Sequence, residues 1–259
     1  MQAAILTAGI LVALVAYAQT SDYDRGVALV QKGDFEQAIP LLARAAESQP
    51  QDARTWKALG VAYAARGLYG EAEAPFRRAC ELAPKLEDAC YYAGQALYLL
   101  DRYEEALATL ESAAKLDSKS WKIRLGIAQA LEAQGKASQA GESYQQAVTL
   151  CANRDPAPGA AYGRFLVRQG RLKEAIPPLE AVLTRFPKSP EALTQLGRAL
   201  LEDGQTTAAI PRLESATALA PRSVQAHLLL AKAYVKAGRT AEAQAHFEAA
   251  AKYAGAQVQ

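Results

Sequence analysis

The chain reads as an all-α protein, an array of antiparallel helix pairs, on three observations. One pattern of small and large apolar residues recurs every 34 residues over almost the whole length. Within each copy the apolar residues keep helical spacing on both sides of a central glycine. Composition points the same way: 51% of the 259 residues are apolar, yet only five are Phe, two Trp and one Met. The bulk is Ala, Leu, Glu, Gln, Lys and Arg, the strong helix formers.

The first eighteen residues, "MQAAILTAGILVALVAYA", carry no charged side chain and are apolar from Ala3 to Ala18 apart from Thr7 and Gly9. Ala16 and Ala18 put small side chains where a signal peptidase reads, and Gln19 follows. The run is short for a bilayer span, which needs ~20 residues. The expectation is a secretory signal cleaved between Ala18 and Gln19, leaving an extracytoplasmic protein, periplasmic or secreted. Two alternatives stand beside it: residues 3–18 retained as a membrane anchor, or a hydrophobic first helix in a cytosolic oligomerisation module. The repeat frame begins at Gln19, which favours cleavage.

The pattern is clearest in "TWKALGVAYAARGLYGEAEAPFRRACELAP", residues 55–84. Trp56, Leu59 and Tyr63 recur at helical spacing, Gly67 interrupts, and Ala72, Phe76 and Ala79 mark a second helix. Shifted by 34, Gly60 meets Gly26, Gly94 and Ala128, and Phe76 meets Leu42, Leu110 and Tyr144. A one-residue insertion near Asp155 resets the frame, which resumes with Gly163 and Leu179, then Gly197 and Leu213, then Ala231 and Phe247. Seven copies follow: 19–52, 53–86, 87–120, 121–154, 156–189, 190–223 and 224–257. Each is a helical hairpin too small to bury its own apolar faces, so it must stack on its neighbours. The break between its helices is a glycine suited to a left-handed cap (Gly33, Gly67, Gly135, Gly170, Gly204, Gly238). The third copy instead has Asp101, three residues before Glu104, the spacing of a capping box. Pro50, Pro84, Pro187 and Pro221 end the second helix of their copies. Small residues at Gly60 and Ala72 let the two helices approach, while Trp56, Tyr63 and Phe76 are expected to fill the space around that crossing. The run "RDPAPGA" is the one place for a kink between four copies and three.

With this period and this W-LG-Y-A-F-A-P order, the chain resembles the tetratricopeptide repeat family, and residues 56–84 carry the whole pattern. The Trp position is the loosest, being Asp22, Cys90, Arg124, Gly159, Leu193 and His227 elsewhere. The resemblance implies a right-handed superhelical solenoid with a concave face lined by the first helix of each repeat. It implies a non-catalytic scaffold or adaptor that binds an extended or helical segment of a protein partner. Envelope, pilus or secretion assembly is the expected setting, given the signal-like start. The carboxylate clamp of chaperone-binding family members is missing: Lys57 fits its first position, but Val61, Ala58 and Tyr92 replace its polar groups.

The residues agree with a binding protein. His227 and His246 are the only histidines and neither is near a cysteine in sequence, which suits packing better than catalysis. No phosphate loop, HExxH or nucleophile elbow occurs, so no cofactor, metal or enzymatic activity is expected. A net charge of +2 gives no general attraction to nucleic acid, and membrane contact is expected only through the N-terminal segment. Three cysteines are too few for a disulfide-built scaffold. Cys80 and Cys90 flank the Pro84-Lys85 turn on facing helices; an oxidising compartment allows them to pair if both point inward, and two buried thiols are the alternative.

One position after the Gly/Ala of each first helix, the ninth position of each repeat, the residues run Val27, Val61, Gln95, Gln129, Arg164, Arg198, Lys232. The resemblance puts them on the concave wall, which thus turns from neutral to cationic. Arg168 and Lys236 strengthen the cationic half, with Glu202 interrupting, while Tyr91 and Tyr98 give the neutral half an aromatic surface. The expected ligand has an acidic segment with a carboxylate about every third residue. Single Arg or Lys residues usually just solvate a helix face; three in register argue for more. The last helix, with its alanine-rich outer surface and Tyr253, is expected to fray or to mediate self-association.

Overall fold

The computed structural model describes residues 21–255 apart from Glu87. The signal-like segment with its Ala18/Gln19 junction lies outside the described residues. Among the described residues there are fourteen α-helices and no strand. They form two compact units divided between Gly135 and Lys136. The division falls inside the fourth repeat, between its two helices, and not at the Pro/Gly run near Asp155. That run instead begins a helix: Pro156 caps it, and Gly159 inside it lacks the Cβ that would sit 2.3 Å from Val182 Cγ2.

Unit 1 holds α1 (Asp22–Lys32), α2 (Phe35–Ser48), α3 (Ala53–Ala65), α4 (Tyr69–Leu82), α5 (Ala89–Leu99), α6 (Tyr103–Leu116) and α7 (Trp121–Ala133). Unit 2 holds α8 (Ala137–Cys151), α9 (Ala157–Arg168), α10 (Leu172–Arg185), α11 (Pro190–Glu202), α12 (Thr206–Leu219), α13 (Val224–Lys236) and α14 (Thr240–Gly255). In both, consecutive helices pack as hairpins, and first helices also meet first helices: α1 with α3 and α5 with α7, α9 with α11 and α11 with α13.

Five of the hairpins close on one contact. A Cβ added to Gly26, Gly60 or Gly94 would lie 2.6, 2.6 or 2.4 Å from Leu42, Phe76 or Leu110, and Gly163 and Gly197 stand likewise 2.4 and 2.5 Å from Leu179 and Leu213. The large residue sits on the bare backbone of the facing helix, and the other side of the crossing is closed by buried alanines such as Ala38, Ala72, Ala106, Ala175 and Ala209. Tyr63 packs on the cluster of Ala72 and Phe76, as expected, and also on that of Ala38, Leu42, Ala46, Leu59 and Ala62. Trp56 has a different place from the one expected: it packs on the latter cluster, which includes α2, and so seals its repeat onto the preceding one. The Trp56 indole N–H donates to the Pro50 carbonyl at 3.0 Å.

The caps follow the chain's small residues. Gly33, Gly67, Gly135, Gly170, Gly204 and Gly238 all take the left-handed conformation. Asp101 takes it too, at φ 57°, in place of the glycine. Its carboxylate accepts from the Tyr103 hydroxyl and no side chain caps α6, so the capping box expected with Glu104 does not form. Helices α2, α4, α10 and α12 each contain proline in their second turn (Pro40, Pro75, Pro177 with Pro178, Pro211), giving up ladder hydrogen bonds there without ending the helix.

Cys80 and Cys90 form a disulfide, their Cα atoms 4.6 Å apart, so the alternative of two buried thiols does not hold; Cys151 is a buried free thiol. The bond ties the end of α4 to the start of α5. Asp88, at φ 61° just before α5, pairs with Lys122 at the start of α7.

Replacing Gly60 by Ala should cost about 1–3 kcal/mol, because Phe76 fills the space the methyl needs; chemical denaturation measures it. The same change at Gly67, with nothing within 4 Å, should cost less and act only through its φ of 73°. Alkylation in denaturant should label one cysteine before reduction and three after. Equal labelling in both would remove the bridge.

Candidate partner-binding surface

Within each unit the ninth-position side chains line up because first helices stack on first helices at the 34-residue period. In unit 1 the row is direct: Gln95 Nε2 on α5 donates to Gln129 Oε1 on α7 at 2.7 Å. Each amide satisfies part of its neighbour, so this stretch of wall is polar and uncharged. Val61 is half-buried against Ala72, Phe76, Ala93 and Ala96. Tyr91 leans toward α7, where a Cβ on Gly126 would lie 3.6 Å from its ring. Tyr98 packs on the cluster of Leu97, Ala106 and Ala130, its ring 5.3 Å from that of Tyr103. Both tyrosines are therefore half-buried, and only their outer edges, with the exposed Leu99, face solvent.

In unit 2 the row carries charge with partners. Arg164 Nη1 lies 3.3 Å from Glu191 Oε1, from α9 to the first turn of α11. Arg198 Nε reaches Glu202 Oε1 one turn along its own helix at 2.7 Å. Lys232 is exposed; Lys236 Nζ reaches back to the Leu201 carbonyl at 3.2 Å, and Arg168 is exposed at the end of α9. Glu202 was visible as an interruption from the sequence. Glu191 was missed, although it stands 27 residues after Arg164, where the repeat frame places the start of the next first helix.

The histidines do pack. His227 is buried on α13, its Nε2 3.0 Å from the Pro221 carbonyl and its Nδ1 2.8 Å from His246 Nδ1 on α14. A carbonyl only accepts, so His227 carries a proton on Nε2, and of the two facing Nδ1 atoms one donates to the other. Trp56 makes the same link to Pro50, so His227 does there what the indole does in the second repeat. Tyr253 stacks on His227 at 5.9 Å, and Tyr234 lies 5.7 Å from His246. The Tyr234 hydroxyl donates to Glu214 at 2.6 Å; burial first, and then this bond, push its pKa up to about 12. Burial, then the neighbouring His227, hold His246 below the ordinary imidazole value, with Glu214 opposing. No group of three potential metal ligands occurs among the described residues, and none of the described helices is long and apolar enough to cross a membrane.

Comparison with known proteins follows this geometry. Tetratricopeptide repeat models match residues 23–87, 156–199 and 200–259, together more than half of the chain. A model of anaphase-promoting complex, cyclosome, subunit 3 matches residues 65–147. Superkiller complex protein 3 of Mus musculus is 33% identical over 113 residues, 44% of this chain but only 7% of that protein. Tetratricopeptide repeat protein 28 of Mus musculus is 28% identical over 152 residues, 58% of this chain and 6% of its own length. The chain thus spans a small fraction of these relatives. Among solved structures, the Cut9-Hcn1 hetero-tetramer of the APC/C has a chain with TM-score 0.72 at 19% identity, covering 88% of this chain and 45% of that one. A tetratricopeptide repeat protein of Parabacteroides merdae gives 0.68 at 13%, with 90% and 91% covered. The pilF protein of Pseudomonas aeruginosa gives 0.63 at 21%, with 79% and 93% covered. At these identities the likeness is one of fold.

Because His246 binds its proton less readily folded than unfolded, the unfolded chain takes up more protons as pH falls through the ordinary value of 6.5. Stability of the α13–α14 pair is therefore full above that value and declines below it. Hydrogen exchange, corrected for intrinsic rate, should show α14 opening more readily at pH 5 than at pH 7.5. His246→Gln should flatten that difference.

Proposed function

The chain belongs to the tetratricopeptide repeat family, and from that premise we propose that it is a non-catalytic scaffold that grips a protein segment along its first helices. The observation that carries this reading is the registered row of side chains. Gln95 meets Gln129 across one repeat, and Arg164 meets the first turn of the next first helix, so a ligand lying across these helices encounters one polar group per repeat.

For unit 2 the ligand is an extended acidic segment. First helices stack ~10 Å apart and an extended peptide advances ~3.3 Å per residue, so a carboxylate about every third residue meets Arg164, Arg198 and Lys232 in turn. Arg168 and Lys236 add positive charge on the same helices. The ligand must first displace Glu191 and Glu202, which costs little, since exposed ion pairs contribute only ~0–1 kcal/mol each. For unit 1 the corresponding contacts are apolar and aromatic, from Val61, Tyr91 and Tyr98, with the Gln95 and Gln129 amides available to a peptide backbone.

We place this activity outside the cytoplasm, in assembly of the envelope, a pilus or a secretion apparatus. The Cys80–Cys90 disulfide supports an oxidising compartment, and the "AYA" tail at residues 16–18 supports export. A membrane-tethered adaptor is the second reading, favoured by the uncharged run of residues 3–18. Amino-terminal sequencing of the fractionated protein separates the two: Gln19 in the soluble fraction fits the first, Met1 in membranes the second.

The groove is tested with a labelled synthetic peptide bearing aspartate at every third position. The wild-type chain should bind it more weakly as salt rises. Reversing Arg164, Arg198 and Lys232 together to Glu should weaken binding at least tenfold at low salt and remove the salt dependence, with helicity and melting unchanged. Equal binding by the triple variant at low salt would leave the basic row as a solvated face.

A further inference from the structure

The last helical pair of unit 2 exposes a face that its predecessors bury. In the fifth and sixth repeats two positions seven residues apart are buried on the side of the next first helix. Ala160 and Val167 on α9 are both 2% exposed beside α11, and Thr194 and Leu201 on α11 are 5% and 3% exposed beside α13. Their counterparts on α13 are Leu228 and Val235, which are 38% and 52% exposed. On α14, Phe247 is 37% exposed where its counterpart Leu213 is fully buried. Lys232 lies between Leu228 and Val235 along α13, with Lys236 beside them.

We propose that this face docks one amphipathic helix that carries a carboxylate in its first turn. Unit 2 already shows the contact: α11 lies against α9 and sets Glu191, in its first turn, beside Arg164. Lys232 occupies the position of Arg164 two repeats further along, so a carboxylate at the position of Glu191 completes the same pair. Leu228 and Val235 take the place of Ala160 and Val167 beneath the incoming helix. The patch suits one helix and no more, since seven helical residues span only about 10 Å, and a stable dimer needs on the order of 1,200 Å² of buried surface.

A second copy fits poorly. One end of unit 1 as described, the outer side of α1, presents Arg25 and Ala28 where later repeats bury Leu59 and Ala62 or Leu196 and Ala199, with exposed Lys32 one turn beyond Ala28. Stacking that end on α13 would set Arg25 and Lys32 against Leu228, Val235 and two more lysines. Pairing two copies of the α13–α14 face would bring Lys232 and Lys236 of both together. Like charges oppose both arrangements, and an acidic helix supplies the carboxylate that Lys232 takes.

The probe is a labelled peptide of residues 189–204, which contains α11 and its Ser189 cap, titrated against the full chain by fluorescence anisotropy. Saturable binding is expected, weak because the peptide must be ordered on docking. Val235→Asp should weaken it at least tenfold while leaving helicity and melting unchanged, and E191K in the peptide should do the same. Lys232→Glu in the protein should then recover the E191K peptide. Arg164 and Arg198 remain untouched throughout, so failure here leaves the acidic-groove reading standing. Absence of saturable binding, binding indifferent to Val235→Asp, or no recovery on charge exchange would each overturn the proposal. So would sedimentation showing a dimer that Val235→Asp dissociates, since a second copy would then be the occupant.

Discussion

Five of the hairpins depend on one missing methyl group. Where Gly26, Gly60, Gly94, Gly163 and Gly197 face a Leu or Phe sixteen residues later, the large side chain lies on bare backbone at a distance no Cβ permits. Burying such a side chain contributes about 1.5–3 kcal/mol, and each contact also fixes how closely two helices cross. With the crossing distance repeated, the first helices within each unit come into a row. The ninth-position side chains inherit their register from that row, and without it neither the glutamine pair nor the arginine–glutamate pair would form.

A second recurring place, the fourth position of each repeat against the end of the preceding second helix, is filled by different chemistry each time. Trp56 packs beside Ala46 and bonds the Pro50 carbonyl; Leu193 packs on Leu183. Cys90 is bonded covalently to Cys80, and His227 bridges the Pro221 carbonyl and His246. In a stack of repeats, stability is approximately the sum of units and of nearest-neighbour junctions. Exchanging a hydrophobic contact for a disulfide or an imidazole pair therefore makes one junction sensitive to reductant and another to acid, with the rest of the array unaffected. Both sensitivities are local, because each junction is held by its own neighbours.

The two walls differ in what a ligand must displace. The Gln95–Gln129 bond closes a neutral stretch in which amides satisfy each other. On α9 and α11, guanidinium groups already hold Glu191 and Glu202. Such exposed pairs keep the wall from carrying bare charge and are cheap to exchange.

Much of this could be read from the chain alone. The 34-residue period, the left-handed glycines from Gly33 to Gly238 and the Gly60–Phe76 closeness follow from local spacing and from what a side chain or its absence permits. Tertiary packing decided the rest. Pro75 and Pro177 sit inside helices, a few residues after the fully buried Ala72 and Ala175, although each gives up a ladder bond. Asp101 takes a glycine's conformation because the turn demands it and Tyr103 binds its carboxylate. The tryptophan position faces the previous repeat, which a pattern confined to one repeat does not reveal. The positions of Arg164 and Arg198 were legible, but their carboxylate partners were not both so, since Glu191 comes from the next first helix. Whether Cys80 meets Cys90 depended on helix rotation, which composition leaves open and the packed junction sets. Sequence determines what is local and periodic; contacts between successive repeats are decided only when their faces meet.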